Sequence, residues 1–353
     1  MNSAKFKSLL LALSAGLLAS PAATAENAVT FQGKTITMII GYAAGGGTDA
    51  SGRLIAASLD RHLPGSPNVL VRNMPGADGM TAANYFVQQV VPDGLTIMMA
   101  SSTTADPLQY RKPQSHFDPT RFAVIGGVGR GGSFLMINRD AEKRLTDKQA
   151  RPVMMGTIGG VPRSGMQITG WGIGFLGWNA KWVVGYRGTN DVILALERGE
   201  IDMTATANLF QIQKLLETGR FKILSQTGTL KNGTVVTRPE FADAPNLARM
   251  LEGKIGDPLV RKAFDYWSSI ATIDKWLALP PKSPKPIVEA YRVAYSRLMQ
   301  DADFLDRGKK MSEDIEPMSS LEVESLLKTL GDTPPEAIDY IGTMLSKQGL
   351  SAQ

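Results

Sequence analysis

The stretch Thr35–Leu54, TITMIIGYAAGGGTDASGRL, constrains the fold of this chain more than any other. Ile36 to Tyr42 is short, mostly apolar and rich in β-branched residues, and small residues end it, so it reads as a buried strand. Gly45, Gly46 and Gly47 turn the chain. Thr48 or Asp49 is placed to cap a helix that begins near Ala50. Strand, glycine turn and helix N-terminus together form an anion-binding arrangement. Residues without side chains let a ligand approach the backbone, and the unpaired N–H groups and the helix dipole favour negative charge there. A βα turn that needs glycine only for φ > 0 is the plainer reading. Three consecutive glycines exceed that need, so this turn is expected to hold a carboxylate.

The pattern continues along the chain. Helix Ala50–Leu63 stops at Pro64-Gly65, Asn68–Arg72 is a strand, and the loop Asn73–Gly79 opens a helix from about Met80 to Val90. Leu95–Ala100 is a third strand, ending in Ser101-Ser102-Thr103-Thr104. Strands alternating with helices predict a parallel sheet, with ligands beyond the carboxyl ends of its strands. Ala123–Val128 and Phe134–Ile137 read as strands on either side of a glycine hinge, Gly129–Gly132. Strand, glycine-containing turn and helix then recur twice: Pro152–Gly156 before a helix through about Phe175, and Lys181–Tyr186 before Asp191–Arg198. Ile201–Ala205 and Phe221–Gln226 are further strands. Lys231–Pro258 is a polar connector with some helix, and Ala263–Ala278 contains a strand-like run. The remainder is helical over Pro286–Met299, Asp303–Met311, Leu321–Leu330 and Pro335–Gln348. The C-terminal helices are expected to cover the first sheet, with the middle third inserted as a second lobe. A ligand cleft between two α/β lobes follows.

The first 25 residues resemble a secretory signal: Lys5 and Lys7, the apolar run Leu9–Leu18, and Ala23-Thr24-Ala25 as a cleavage site. The mature chain would begin at Glu26, in the periplasm. No other stretch approaches 18 consecutive apolar residues, and the sequence contains no cysteine, so disulfides, thiolate metal sites and a lipidated cysteine are all excluded. Without Lys5 and Lys7, 36 basic residues face 33 acidic ones with no long run of either sign, and nucleic-acid binding is not expected. His62 and His116 lack any ligand pattern around them, so no metal and no cofactor is expected.

Enzyme motifs are missing. There is no G-x-x-x-x-G-K-[ST] and no G-x-S-x-G. A G-x-G-x-x-G match at Gly127–Gly132 is followed by a strand-like run where a dinucleotide site needs a helix.

Through these residues the chain resembles the Bug family, the solute-binding receptors of tripartite tricarboxylate transporters. The family's first loop, similar to VPFAPGGGTD, stands here as Ile40-Gly41-Tyr42-Ala43-Ala44-Gly45-Gly46-Gly47-Thr48-Asp49. Its ENRPGAGG-like loop is Val71–Gly79, and its PDGYTLL-like turn is Pro92–Ile97. The second-lobe turns resemble Gly156–Ser164, Gly185–Gly188 and Gly199–Asp202. The resemblance implies a two-lobed type II periplasmic-binding-protein fold, each lobe a mainly parallel sheet flanked by helices. It also implies a small organic carboxylate held between the first glycine loop and a second-lobe loop, and a membrane permease as partner. The expected division is lobe 1 at residues 26–128 and 278–353, and lobe 2 at 129–277. A monomer without catalytic residues is expected. A receptor that docks on a membrane sensor is the alternative, and an exported enzyme would have to turn a substrate over.

The candidate ligand residues are Tyr42, Ala44, Gly45, Gly46, Gly47, Thr48, Asp49, Ser101 and Ser102 in the first lobe. Val161, Arg163, Ser164, Arg187, Thr189, Asn190 and Asn208 are their second-lobe counterparts. Asp49 would repel an anion, so it reads as a helix cap unless the ligand carries an amino group. Arg163, Arg187 and Arg130 suit charge-assisted pairing with a carboxylate, or simple solvation at the surface. Trp171, Trp178 and Trp182 are expected to pack the second lobe.

Overall fold

A computed structural model describes residues 29–129, 131–158, 162, 164–186, 189–231, 234–310 and 315–350. The signal-like segment 1–25, Arg130, Val161, Arg163 and Arg187 lie outside the described residues, and of Ser164 and Thr189 only the backbone is described.

The opening units form as their patterns demand. β1 (Thr35–Ile40) leads into α1 (Gly47–Leu59), β2 (Asn68–Asn73) into α2 (Met80–Gln88), and β3 (Thr96–Ser101) into the single turns α3 (Ser102–Ala105) and α4 (Pro107–Tyr110). β1 is parallel to both β2 and β3. Helix α1 starts earlier than the expected Ala50. Gly46 is its N-cap, in extended conformation, and no side chain caps it. Thr48 and Asp49 therefore lie inside the first turn and neither is the N-cap, although Asp49 accepts from the Gly45 N–H just ahead of the helix.

β4 (Ala123–Gly129) carries the chain out of the first sheet. The second lobe contains β5 (Phe134–Asn138), β6 (Val153–Thr157), α5 (Gln167–Phe175), β7 (Ala180–Val184), α6 (Thr189–Arg198), β8 (Met203–Thr206), α7 (Leu209–Glu217) and β9 (Phe221–Gln226). Its sheet has the order β7-β6-β8-β5-β9. β6 is parallel to β7 and β8, and β5 is antiparallel to β8 and β9. The polar connector also holds a hairpin of β10 (Thr229–Lys231) and β11 (Thr234–Val236), ahead of the single turn α8 (Leu247–Met250).

The strand expected within Ala263–Ala278 is present at the end of that segment, and an unassigned helix precedes it. α9 (Pro258–Thr272) precedes β12 (Ile273–Leu279), which alone is extended. Asp257 caps α9 by accepting from the Leu259 amide, Pro258 occupies its first turn, and Val260, Ala263, Phe264 and Trp267 line one buried face. The cap and the 3.6-residue periodicity outweigh the aromatic and β-branched content.

β12 lies wholly in the first sheet, between β3 and β4 and antiparallel to both. It straddles the division expected between residues 277 and 278. The chain continues through α10 (Lys285–Leu298), α11 (Ala302–Lys310), β13 (Glu316–Ser319), α12 (Ser320–Gly331) and α13 (Pro335–Lys347). β13 pairs with β4, completing the order β13-β4-β12-β3-β1-β2. Both sheets are thus mixed. Helical crossovers join the parallel strands, while β4, β5 and β12, next to the crossings, pair antiparallel, as does β13.

The C-terminal helices do cover the first sheet. Val288, Tyr291 and Tyr295 of α10 join Ile36, Met38, Ile40 and Met99 in one core. Tyr295 fits because Gly126 has no side chain: a Cβ there would overlap its ring. Its hydroxyl donates to the Gly127 carbonyl. The G-x-G-x-x-G match therefore begins inside β4, a structural strand rather than a nucleotide loop.

Helix α13 reaches the second lobe. Leu345 and Met344 lie over Gly170 and Gly174 of α5, and Gln348 donates to the Gly170 carbonyl at 2.8 Å and accepts from Trp182 at 3.2 Å. Trp171 is fully buried against Phe264 and Trp267 of α9. Trp178 is buried too, as expected, and Trp182 is half-buried. One apolar core consequently runs through both lobes.

Candidate functional site

Strand register places the candidate residues. Lys275 of β12 pairs with Ser101 and Val128, so the carboxyl ends of β3 and β4 share one edge of the first sheet. β1 and β2, parallel to β3, end there too. The chain crosses between lobes from that same edge. In the second lobe, Phe134 at the start of β5 pairs with Thr206 at the end of β8. The carboxyl ends of β6, β7 and β8 therefore also meet the crossing. Each lobe presents its strand-end loops to the other, and the cleft lies between them.

At the first-lobe edge, Ala43 through Gly47 are exposed. The Gly45 N–H donates to Asp49 Oδ2 at 2.8 Å, so this amide is already engaged within the protein. The Gly46 carbonyl accepts from Ala50. The N–H groups of Gly46, Gly47 and Thr48 remain as open donors of the first helical turn. Helices α1, α2 and α3 all start at this edge, and none has a side-chain cap. The Met80 and Thr81 N–H groups of α2 already donate to the Ala77 and Gly76 carbonyls, whereas the first amides of α1 present the positive end of its dipole openly.

Glycine is required at some of these positions and not at others. Gly45 has φ +87°, which a side chain disfavours. Gly41 passes against Gly79, and a Cβ there would lie 2.8 Å from the Gly79 Cα. By contrast, a Cβ at Gly46 would meet only the Ala43 carbonyl at 3.7 Å, and one at Gly47 would meet nothing within 4 Å. The protein's own packing gives no reason for glycine at 46 or 47.

Asp49 is 3% exposed. It accepts from Gly45 and Arg53 on Oδ2 and from Asn73 on Oδ1. The hydrogen bond from the Arg53 guanidinium, opposed by burial and assisted by Gly45 and Asn73, lowers its carboxyl from 3.8 to about 2. Because the folded value lies below the unfolded one, this stabilisation is complete above about pH 4 and is lost as pH falls towards 2. The stability advantage of the native chain over Asp49→Asn is expected to hold constant from pH 5 to 7 and to shrink between pH 4 and 2, measured by urea unfolding. A pH-independent difference would remove the charge from this account.

Tyr42 and Ser101 meet side by side, with their hydroxyls 2.7 Å apart, and Tyr42 also donates to the Asp78 carbonyl at 3.1 Å. The buried Trp276 indole donates to the Ser101 carbonyl at 3.1 Å. Ser102 starts α3. Ala44 is an exposed part of the turn.

At the second-lobe edge, Asn208 caps α7 through its side chain, accepting from Gln211 N at 3.0 Å. Asn190 in the first turn of α6 is exposed and accepts from Gln211 Nε2 at 3.1 Å. Gln211 thus joins two candidates that are distant in sequence. Its signal was present: Asn followed three residues later by Gln is a helix-start pattern. Arg238 was not singled out in the sequence either. It is 2% exposed, donates to the Gly132 and Ala207 carbonyls, pairs with Glu240 at 2.8 Å and lies over the Phe134 ring. It braces the crossing against the end of β8. Among the described residues no group of three His, Asp or Glu side chains could hold a metal, and no helix is long and apolar enough to cross a membrane.

No family model matches the sequence. A UPF0065 protein of Bordetella pertussis is 30% identical to it over 231 residues, which take in 62% of this chain and 68% of that protein. This chain belongs to the UPF0065, or Bug, family. The Bug fold recurs in solved structures. A TctC solute-binding protein from Polaromonas, without ligand, superposes with a TM-score of 0.64 at 18% identity, covering 90% of this chain and 100% of that one. An R. palustris protein with adipate superposes at 0.58 and 19% identity, covering 90% and 98%. At this level of identity, what the two solved structures share with this chain is the fold.

Proposed function

We propose that this Bug protein is a periplasmic receptor, exported through residues 1–25 and cleaved after Ala25. In this reading it captures a small organic carboxylate between its lobes and delivers it to a tripartite tricarboxylate-type permease. One observation carries the reading: the open amides of Gly46, Gly47 and Thr48 on an uncapped helix, at the edge where the two lobes meet. A ligand carboxylate would supply the missing acceptor. Adipate in the R. palustris structure suggests the scale of the ligand, a short dicarboxylate. Tyr42, Ala44, Ser101 and Ser102 would flank the carboxylate bound by the first lobe. Closure would then bring Val161, Arg163, Ser164, Arg187, Thr189, Asn190 and Asn208 onto its far side, favouring a closed form that the permease recognises.

Mass spectrometry of the small molecules released from protein purified out of its native host, followed by calorimetric titration with the acid found, tests the capture step. A single carboxylate bound per chain is the expected result. Failure of every mono-, di- and tricarboxylate to bind would overturn the reading. Uptake of that acid, with and without the permease genes, tests delivery.

A further inference from the structure

We infer that Asn73 and Arg53, with Asp49 between them, are positioning residues that aim the loop amides, and that none of the three touches the ligand. The inference rests on the receptor reading above and adds how the binding loop is held. Asn73 ends β2, and every polar atom of its side chain is engaged. Its amide nitrogen donates to the Tyr42 carbonyl at 2.9 Å and to Asp49 Oδ1 at 2.8 Å, while its oxygen accepts from Arg53 Nη2 at 2.9 Å. Arg53 Nε donates to Asp49 Oδ2 at 2.9 Å, and the same oxygen accepts from the Gly45 N–H. The ring of bonds therefore closes on itself. It ties the carboxyl end of β2 to both ends of the glycine turn, at Tyr42 and at Gly45.

Two consequences follow from this geometry. Fixing Gly45 and Tyr42 leaves the segment between them and the helix little freedom, so the Gly46, Gly47 and Thr48 amides point outward before any ligand arrives. Preorganised donors bind more tightly because less ordering remains to be done. The second consequence is electrostatic. A bare carboxylate at Asp49, within a turn of the anion site, would repel the ligand. The Arg53 guanidinium cancels that charge where it stands, while the side chain remains half in solvent. Asn73→Asp would place a second carboxylate against Asp49 and is expected to open the ring, as is Asn73→Ala.

Amide hydrogen exchange on the unliganded protein, followed by NMR at Gly45, Gly46 and Gly47, tests the latch without a ligand. Gly45 is expected to exchange at least tenfold more slowly than Gly46 and Gly47, and to lose that protection in Asn73→Ala and in Asn73→Asp. A Gly45 amide that exchanges as fast as its neighbours, or is indifferent to both substitutions, would overturn the inference. Calorimetry with adipate as probe reads the positioning. Asn73→Ala and Arg53→Met should weaken binding at least tenfold in protein that still unfolds cooperatively in urea, at a midpoint lowered by the loss of an Asp49 partner, Arg53→Lys should restore part of the binding, and Arg53→Met should make affinity more salt-dependent. Unchanged affinity in both weakened variants overturns the positioning role. Should the native chain bind no carboxylate at all, the receptor reading fails, and the exchange comparison alone still decides whether the latch exists.

Discussion

Tryptophan at position 47 is expected to abolish carboxylate binding while leaving the protein folded. The first helical position has ordinary helical geometry, and the space a side chain would enter at Gly47 is open. Nothing in the protein resists the substitution, and the gain in helix propensity over glycine offsets part of any strain. The ligand, however, needs that space to reach the amides of residues 46 to 48. Hydrogen bonds to a charged group contribute about 1.5–3 kcal/mol each, so losing two weakens binding by roughly a hundredfold or more. The graded series Gly47→Ala, Gly47→Val and Gly47→Trp separates the two readings of the turn. Under ligand approach, affinity falls with side-chain size while urea midpoints stay level, and a bulky residue at Gly46 behaves the same way. Under a purely conformational role, midpoints fall and affinity follows them. Titration and unfolding of each variant, run together, give the answer.

Removal of the Trp276 side chain should produce the largest loss of stability. Trp276 is 1% exposed at the middle of β12, opposite Ala100 on one side and Gly127 on the other, with its ring 5.7 Å from that of Phe122. Trp276→Ala leaves a large cavity and is expected to cost about 3–5 kcal/mol. It also frees the Ser101 carbonyl, which accepts the indole N–H at the rim of the site. Trp276→Phe keeps most of the packing and deletes that hydrogen bond. It should cost about 1–3 kcal/mol for the buried acceptor left unpaired. Equilibrium urea curves measure both. A change below about 1 kcal/mol for Trp276→Ala would contradict the packing described here.

How much of this was legible in the sequence depended on range. The strand, glycine turn and helix around Gly45–Gly47 were legible because local periodicity and punctuation determine them. So was the carboxyl-edge location of Ser101, which follows from alternating strands and helices. Helix α9 went unassigned because aromatic and β-branched residues in Phe264–Ile273 mask its periodicity, although Asp257-Pro258 signalled a helix start, while the strand that follows it was legible. The extent of the antiparallel part was hidden, since β12 pairs with strands more than 140 residues earlier in the chain. The role of Asp49 was only half legible. Its unsuitability as an anion ligand follows from charge, but its partners do not. Asn73 reaches it only because β1 and β2 pair in register from Thr35↔Asn68 to Ile40↔Asn73. That pairing is a tertiary fact, and no local pattern encodes it.

The placement of β12 also bears on how the chain comes to be folded. The strand that separates β3 from β4 lies in the last third of the polypeptide to be made. Until residue 279 is present, β3 and β4 each offer a bare apolar margin to any passing chain, the condition that favours edge-to-edge aggregation. Such long-range closure also slows folding. A nascent chain of this design cannot complete its first sheet before that strand is made. A fragment ending before Ile273, however well it preserves the glycine turn, should not be a miniature receptor.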